Sequence, residues 1–226
     1  MTITENLIYI NSLLPAGVKL VAVSKTKSIE EIREAYEAGQ RLFGENKVQE
    51  LTSKWQQLPK DIEWHYIGHL QTNKVRQLVP YVSVIHSVDS LKLLSVINRE
   101  AENISRIIPV LLEFHIAAEE SKFGLSLQGA EEILASSEIK LMKNVRIVGV
   151  MGMATFTDDE KIIRSEFEHL RTLFKIIEAK YFEGYDQFCE ISMGMSDDYL
   201  IAVSAGNTIV RIGSKIFGAR SYKNAL

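Results

Sequence analysis

A β-rich apolar run followed by a helix-patterned stretch recurs about eight times along these 226 residues, and no other feature limits the fold so tightly. Residues 18–23 are nearly all apolar, as a strand buried on both faces requires. Ser28 followed by Glu31 has the spacing of a capping box. Ile29, Ile32, Ala35 and Tyr36 then supply an apolar helix face before Gly39 stops it. The unit returns with strands expected over 42–45, 64–68, 82–88, 107–115, 145–151, 188–192 and 208–213. The intervening helices are expected over 48–57, 73–78, 89–102, 128–136, 158–180 and 197–205, with a short opening helix over 4–14. This alternation predicts an α/β fold with parallel strands. Eight units in a chain of this length suit a single (β/α)8 TIM barrel, one domain over 1–226. An open doubly wound sheet is the alternative, but the first βα turn lacks the G-x-G-x-x-G pattern.

Composition removes several function classes. The formal charge is -3, from 26 basic and 29 acidic side chains, so nothing points to nucleic acid. No apolar run reaches the roughly 18 residues of a membrane span, and no signal-peptide pattern opens the chain. Cys189 is the only cysteine, which rules out a disulfide within the chain and suits a reducing, cytoplasmic setting. In the run Phe188-Cys189-Glu190-Ile191 it is read as a small core residue. No metal-ligand spacing is present: His65 and His69 are four apart on an expected strand, and His86, His115 and His169 stand alone. With no exposed heptad or long apolar edge, a monomer is expected.

In a barrel of this kind, chemistry sits where strands end and βα loops begin. Those positions hold Lys25, Gly44-Glu45-Asn46, Gly68-His69-Leu70-Gln71, His86, Met151-Gly152-Met153, Ser192-Met193-Gly194-Met195-Ser196 and Arg211-Ile212-Gly213-Ser214. The loops after strands seven and eight commonly cradle phosphate in such folds. Here Gly194 permits a tight turn, Ser192 and Ser196 offer hydroxyls, and Gly213-Ser214 opens another short helical segment. Serines and glycines also cap helices routinely, so this spacing alone leaves the matter even. Lys25 ends a buried strand close to Lys27. Poor solvation and a second cation would both favour its neutral amine, a nucleophile toward aldehydes, against the plainer reading of a lysine that snorkels to water. Arg211 within a β-rich run needs a partner. It faces either the barrel mouth or a helix carboxylate, and Glu113 or Glu190 could pair with it or with Lys25. The methionines Met151, Met153, Met193 and Met195 read as rim packing.

At these residues the sequence closely resembles the pyridoxal phosphate homeostasis protein family. The matching stretches are Val21-Ala22-Val23-Ser24-Lys25-Thr26-Lys27, Phe43-Gly44-Glu45-Asn46 with Val48-Gln49-Glu50, and Ile67-Gly68-His69-Leu70-Gln71 with Asn73-Lys74. They continue in His86-Ser87-Val88-Asp89, Ser192-Met193-Gly194-Met195-Ser196-Asp197, and Val210-Arg211-Ile212-Gly213 with Ile216-Phe217-Gly218-Ala219-Arg220. Six motifs in order, spread from Lys19 to Arg220, are far more specific than any one of them.

The resemblance implies a fold-type III barrel similar to the N-terminal domain of alanine racemase, with pyridoxal 5′-phosphate (PLP) held as a Schiff base on Lys25. It implies that Ser192, Met193, Gly194, Ser196, Gly213 and Ser214 surround the phosphate, that Asn46 lies near the ring, and that Arg211 faces the pyridine nitrogen. Lys122 matches a family lysine thought able to take part in PLP transfer. Two departures stand out: Lys47 where tyrosine is common, and Met151-Gly152-Met153 in place of a Met-Ala or Met-Thr turn. The implied role is a carrier and buffer of PLP that affects amino-acid and keto-acid balance, with PLP-dependent apoenzymes as acceptors. Two enzyme readings stand beside it: a small racemase using Lys25 as one base, and a cofactor-free Schiff-base aldolase. A donor-only guanidinium at the pyridine nitrogen weakens the electron sink. The chain is also expected to lack room for the second domain that alanine racemase uses.

Overall fold

The computed structural model describes residues 2–118 and 123–219; Lys122 and Arg220 lie outside them. Eight parallel strands close into a barrel in chain order, which is the predicted fold. They are β1 (Lys19–Val23), β2 (Leu42–Glu45), β3 (Glu63–Tyr66), β4 (Val82–Val88), β5 (Ile108–Glu113), β6 (Val145–Met151), β7 (Glu190–Ser192) and β8 (Ile209–Ile212). The helices are α1 (Ile3–Leu13), α2 (Ile29–Glu37), α3 (Val48–Gln57), α4 (Val75–Leu78), α5 (Leu91–Glu102), α6 (Leu127–Ala135), α7 (Glu160–Tyr181), α8 (Tyr199–Ser204) and α9 (Ser214–Phe217).

Side chains alternate across each strand and sort into two sets. Leu20, Ala22, Phe43, Trp64, Tyr66, Ile85, Val110, Leu112, Val150, Val210 and Ile212 join the core between sheet and helices. Val21, Leu111, Met151 and Ile209 are equally buried but stand apart from that core, inside the barrel. The interior is narrow at Gly44, where an added Cβ would meet Val21 at 2.9 Å and Ile67 at 3.2 Å. Polar groups share this space with the aliphatic ones: His65, His86, Ser192 and Arg211 are all buried.

The capping box at α2 forms as its spacing predicts. Ser28 Oγ accepts from the Glu31 amide at 3.2 Å, and the Glu31 carboxylate accepts from the Ser28 amide at 2.8 Å. Ser28→Ala is expected to cost about 1 kcal/mol by urea denaturation; an unchanged midpoint would show that the box contributes nothing.

Three expectations need correction. Cys189 is exposed, not a core residue. β7 begins only at Glu190, so Cys189 stands before the strand, while Phe188 turns inward to stack on Phe174 and Phe182. The helix expected over 197–205 is only Tyr199–Ser204, because the amides of Asp198 and Tyr199 both turn back to Met195 O. Strand three stops at Tyr66 instead of Gly68: an added Cβ at Gly68 would come within 2.4 Å of Asn46 O, so the chain is already crossing the β2 loop.

Candidate functional site

Ser24 donates to Glu45 on the outer side of the sheet, and its amide extends the ladder to Gly44 O. Lys25 is next in the alternation and falls on the side of Val21 and Val23, at the C-terminal mouth of the barrel, half-buried. Lys27, expected to help discharge Lys25, points elsewhere. Its ammonium donates to Phe217 O at 2.7 Å and pairs with Glu31 at 3.3 Å, so its charge is already balanced.

Beside Lys25 stand the loops after β7 and β8. Gly213 lies against β1, where an added Cβ would be 3.0 Å from Val23 O. Its amide donates to Ser196 Oγ at 3.2 Å, which ties the two loops together. Gly194 has φ +94°, and a Cβ there would meet Ala202 Cβ at 2.6 Å, so only glycine makes this turn freely. Asp198 closes the same turn by accepting from the Met195 amide. Ser214 is exposed at the start of α9, where the amides of Ile216 and Phe217 both turn back to Gly213 O.

Ser192 differs from the expected cup residue. Its hydroxyl is fully buried one level down, where it accepts from Arg211 Nη1 at 2.6 Å and shares a 3.0 Å hydrogen bond with His86 Nδ1. Met193 is also fully buried, with its amide bonded to Ile209 O and its carbonyl to Asn207. Both residues build the floor.

Arg211 turns into the mouth and not toward a helix carboxylate. Nη2 donates to Gly152 O at 3.1 Å, and the residue is 4% exposed. Burial pulls its pKa down to about 10, against the pull of Asp198 and Glu113, so it remains a cation that only donates. Glu113 ends β5 nearby. Burial first, then Asp89, pushes its carboxyl up to about 7, with Arg211 opposing. Glu190, the other candidate partner, sits at the far end of the barrel, paired with Lys19 and accepting from Thr208 at 2.6 Å. Below Arg211, His86 Nε2 meets His65 Nδ1 at 2.8 Å. Burial holds both rings neutral. It pulls His65 down to about 3, with help from Lys19, and His86 well below its usual value, with help from His65 and Arg211.

Asn46 stands at the end of β2, half-buried, with its carbonyl accepting from the Tyr66 hydroxyl at 3.2 Å. Lys47 is exposed and caps α3 without a side-chain bond. At Gly152 a Cβ would meet Ile116 at 2.8 Å and Leu170 at 3.0 Å, so these side chains fill the space an alanine or threonine would take.

These residues sit in a chain with close relatives. Over 213 residues it is 38% identical to the pyridoxal phosphate homeostasis protein of Vibrio alginolyticus, covering 92% of this chain and 89% of that one. The chain belongs to the pyridoxal phosphate homeostasis protein family. The alanine racemase N-terminal domain family matches residues 1–221. A homeostasis protein of Helicobacter pylori is 40% identical over 202 residues, 88% of this chain and 87% of the relative. PipY of Synechococcus elongatus, solved with PLP bound, superposes at a TM-score of 0.86 with 35% identity, covering 96% of this chain and all of that one. Alanine racemase of E. faecalis, at 18% identity and a TM-score of 0.71, shares the fold over 99% of this chain and 59% of its own.

The homeostasis-family motifs contain His86, Ser192 and Arg211 but not their partner His65, nor two buried supports of the mouth. Glu166 of α7 accepts from the amides of Ala118 (3.0 Å) and Thr155 (2.7 Å), pinning the loops after β5 and β6. Lys54 of α3 is buried against Ser24, Glu45 and Glu50. Its i, i+4 spacing from Glu50 was the one signal available, and such pairs usually stand in solvent.

Proposed function

We propose that this protein binds PLP at the barrel mouth through a Schiff base on Lys25, and that it carries and buffers the cofactor instead of turning over substrate. The presence of PLP in PipY and the naming of the relatives support the ligand. The donor set fits it: one lysine, a tied pair of loops offering Ser196, Ser214 and the amides around Gly194 and Gly213, and one buried guanidinium. In this reading Ser196, Gly194, Gly213 and Ser214 hold the phosphate, with Met193 as the floor and Ser192 acting from below through Arg211. Asn46 borders the ring and Arg211 donates to the pyridine nitrogen. PLP supplies an aldehyde and, when its nitrogen is protonated, an electron sink.

Racemases of this fold work with an arginine at the pyridine nitrogen, so the carrier reading rests on the relatives' naming as homeostasis proteins, and Arg211 adds support to it. Its pKa of about 10 leaves it charged at neutral pH, so it has no proton acceptor to offer and keeps a facing nitrogen unprotonated. Acid and base groups on both faces of a substrate carbon would also be needed for racemisation. The proposed setting is cytoplasmic and monomeric, with PLP-dependent apoenzymes as acceptors and Lys122 as a secondary lysine.

Titration with PLP is expected to raise a visible-range absorbance band. The loaded protein is then expected to leave the α-proton of alanine in place in heavy water. No band would overturn the ligand. Proton exchange on the order of 10 s⁻¹, an ordinary enzyme turnover, would overturn the carrier role.

A further inference from the structure

The two peptide units that flank Lys25 are held by one charge network centred on the buried Lys54, on the outer side of the sheet. Lys54 is 5% exposed, and its three donors are all used: Ser24 O at 2.7 Å, Glu45 Oε1 at 2.6 Å and Glu50 Oε1 at 2.7 Å. Ser24 O belongs to the peptide that leads into Lys25. The peptide that leaves it donates its Thr26 amide to the same Glu50 oxygen at 2.6 Å. Ser24 Oγ donates to Glu45 at 2.7 Å and closes the ring of contacts. Thr26 has φ +68°, a conformation that a β-branched residue does not adopt without cause. A strained residue beside a functional lysine, with a partner on each side, is a backbone fixed by its surroundings.

We infer that Lys54 and Glu50 are positioning residues: together they clamp the backbone on both sides of Lys25 and so fix the direction from which its amine meets an aldehyde. This rests on the reading of Lys25 given above. In the bond-forming step the neutral amine adds to the aldehyde carbon, and the resulting carbinolamine loses the former carbonyl oxygen as water, leaving C=N. The clamp touches none of these atoms. It acts on the approach, where a small misplacement costs much rate.

The test uses Glu50→Ala, since Glu50 is partly exposed and its loss leaves Lys54 paired with Glu45. Two probes separate the contributions: pyridoxine 5′-phosphate, which has the phosphate and ring without the aldehyde, and PLP itself. Pyridoxine 5′-phosphate is expected to bind Glu50→Ala within about twofold of wild type, while the visible band with PLP forms about tenfold more slowly. Glu50→Gln keeps an acceptor for the Thr26 amide and is expected to restore most of the rate. A wild-type rate in Glu50→Ala would overturn the clamp. So would equal losses with both probes, which would make the network a general support of the mouth, or a failure of Glu50→Gln to restore the rate. If wild type itself forms no bond at Lys25, the reading beneath the inference fails, and that result is distinct from the other three.

Discussion

Lys25→Ala protein mixed with PLP is expected to show no visible-range band and no borohydride-stable adduct, while wild type shows both. Lys25 is the lysine that the β1 alternation brings to the mouth, next to the tied loops at Gly213. Lys27 is engaged with Phe217 and Glu31, Lys47 is exposed at the start of α3, and Lys54 is buried on the outer side of the sheet. In the proposed reading the tied loops at Gly194 and Gly213 and the Arg211 guanidinium remain without Lys25, so weak non-covalent binding is expected to persist. Losing the covalent bond is expected to weaken apparent affinity by about a hundredfold, or about 2.7 kcal/mol. An equal band in Lys25→Ala would move the attachment to another lysine, with Lys122 the first to examine.

The second large effect is on stability, and it depends on pH. Glu113 titrates at about 7 in the folded chain, against an ordinary value of 4.5, chiefly because burial disfavours the charge. Between those values the folded protein keeps a proton that the unfolded chain has lost. This group's contribution therefore falls as pH rises through that window and levels off above about 7. The rise from 4.5 to about 7 corresponds to about 3 kcal/mol at 1.36 kcal/mol per pKa unit. His65 and His86 act in the opposite sense: each is held neutral in the fold and destabilises it as pH drops below the histidine range. Glu113→Gln removes one contribution and leaves the other. In urea unfolding without PLP, the variant is expected to match wild type near pH 4, below the unfolded value, and exceed it by about 3 kcal/mol at pH 8. A difference that stays constant with pH would show that the Glu113 carboxyl ionises in the mouth at no cost.

The barrel itself was legible because parallel strands covered on both faces leave short β-rich runs that recur between helix patterns, and runs such as 82–88 and 42–45 kept their bounds. Capping chemistry was equally readable at Ser28, where the side chain meets an amide three residues on. Position along a strand also singled out Lys25 and Arg211. What the sequence withheld depends on contacts between distant elements. Cys189 resembled core because its neighbours are apolar, yet β7 starts one residue later and leaves it outside. Ser192 resembled a rim hydroxyl because it ends a strand, but the alternation of β7 sends it down to Arg211 and His86. The Lys54 network joins β1, β2 and α3, so no local pattern could announce it.

The bonds from His65 through His86 to Ser192 carry a logic of their own. One hydrogen must lie between His65 Nδ1 and His86 Nε2, and each neutral ring has only one to give. Both rings must then bear it on the nitrogen of the same name, either both on Nδ1 or both on Nε2. Of four conceivable tautomer pairs, two survive. The Ser192 hydroxyl follows suit, donating to His86 in one case and accepting in the other, while Arg211 donates in both. The inside of this barrel therefore works like a row of compass needles: no single needle can be reversed without turning its neighbours.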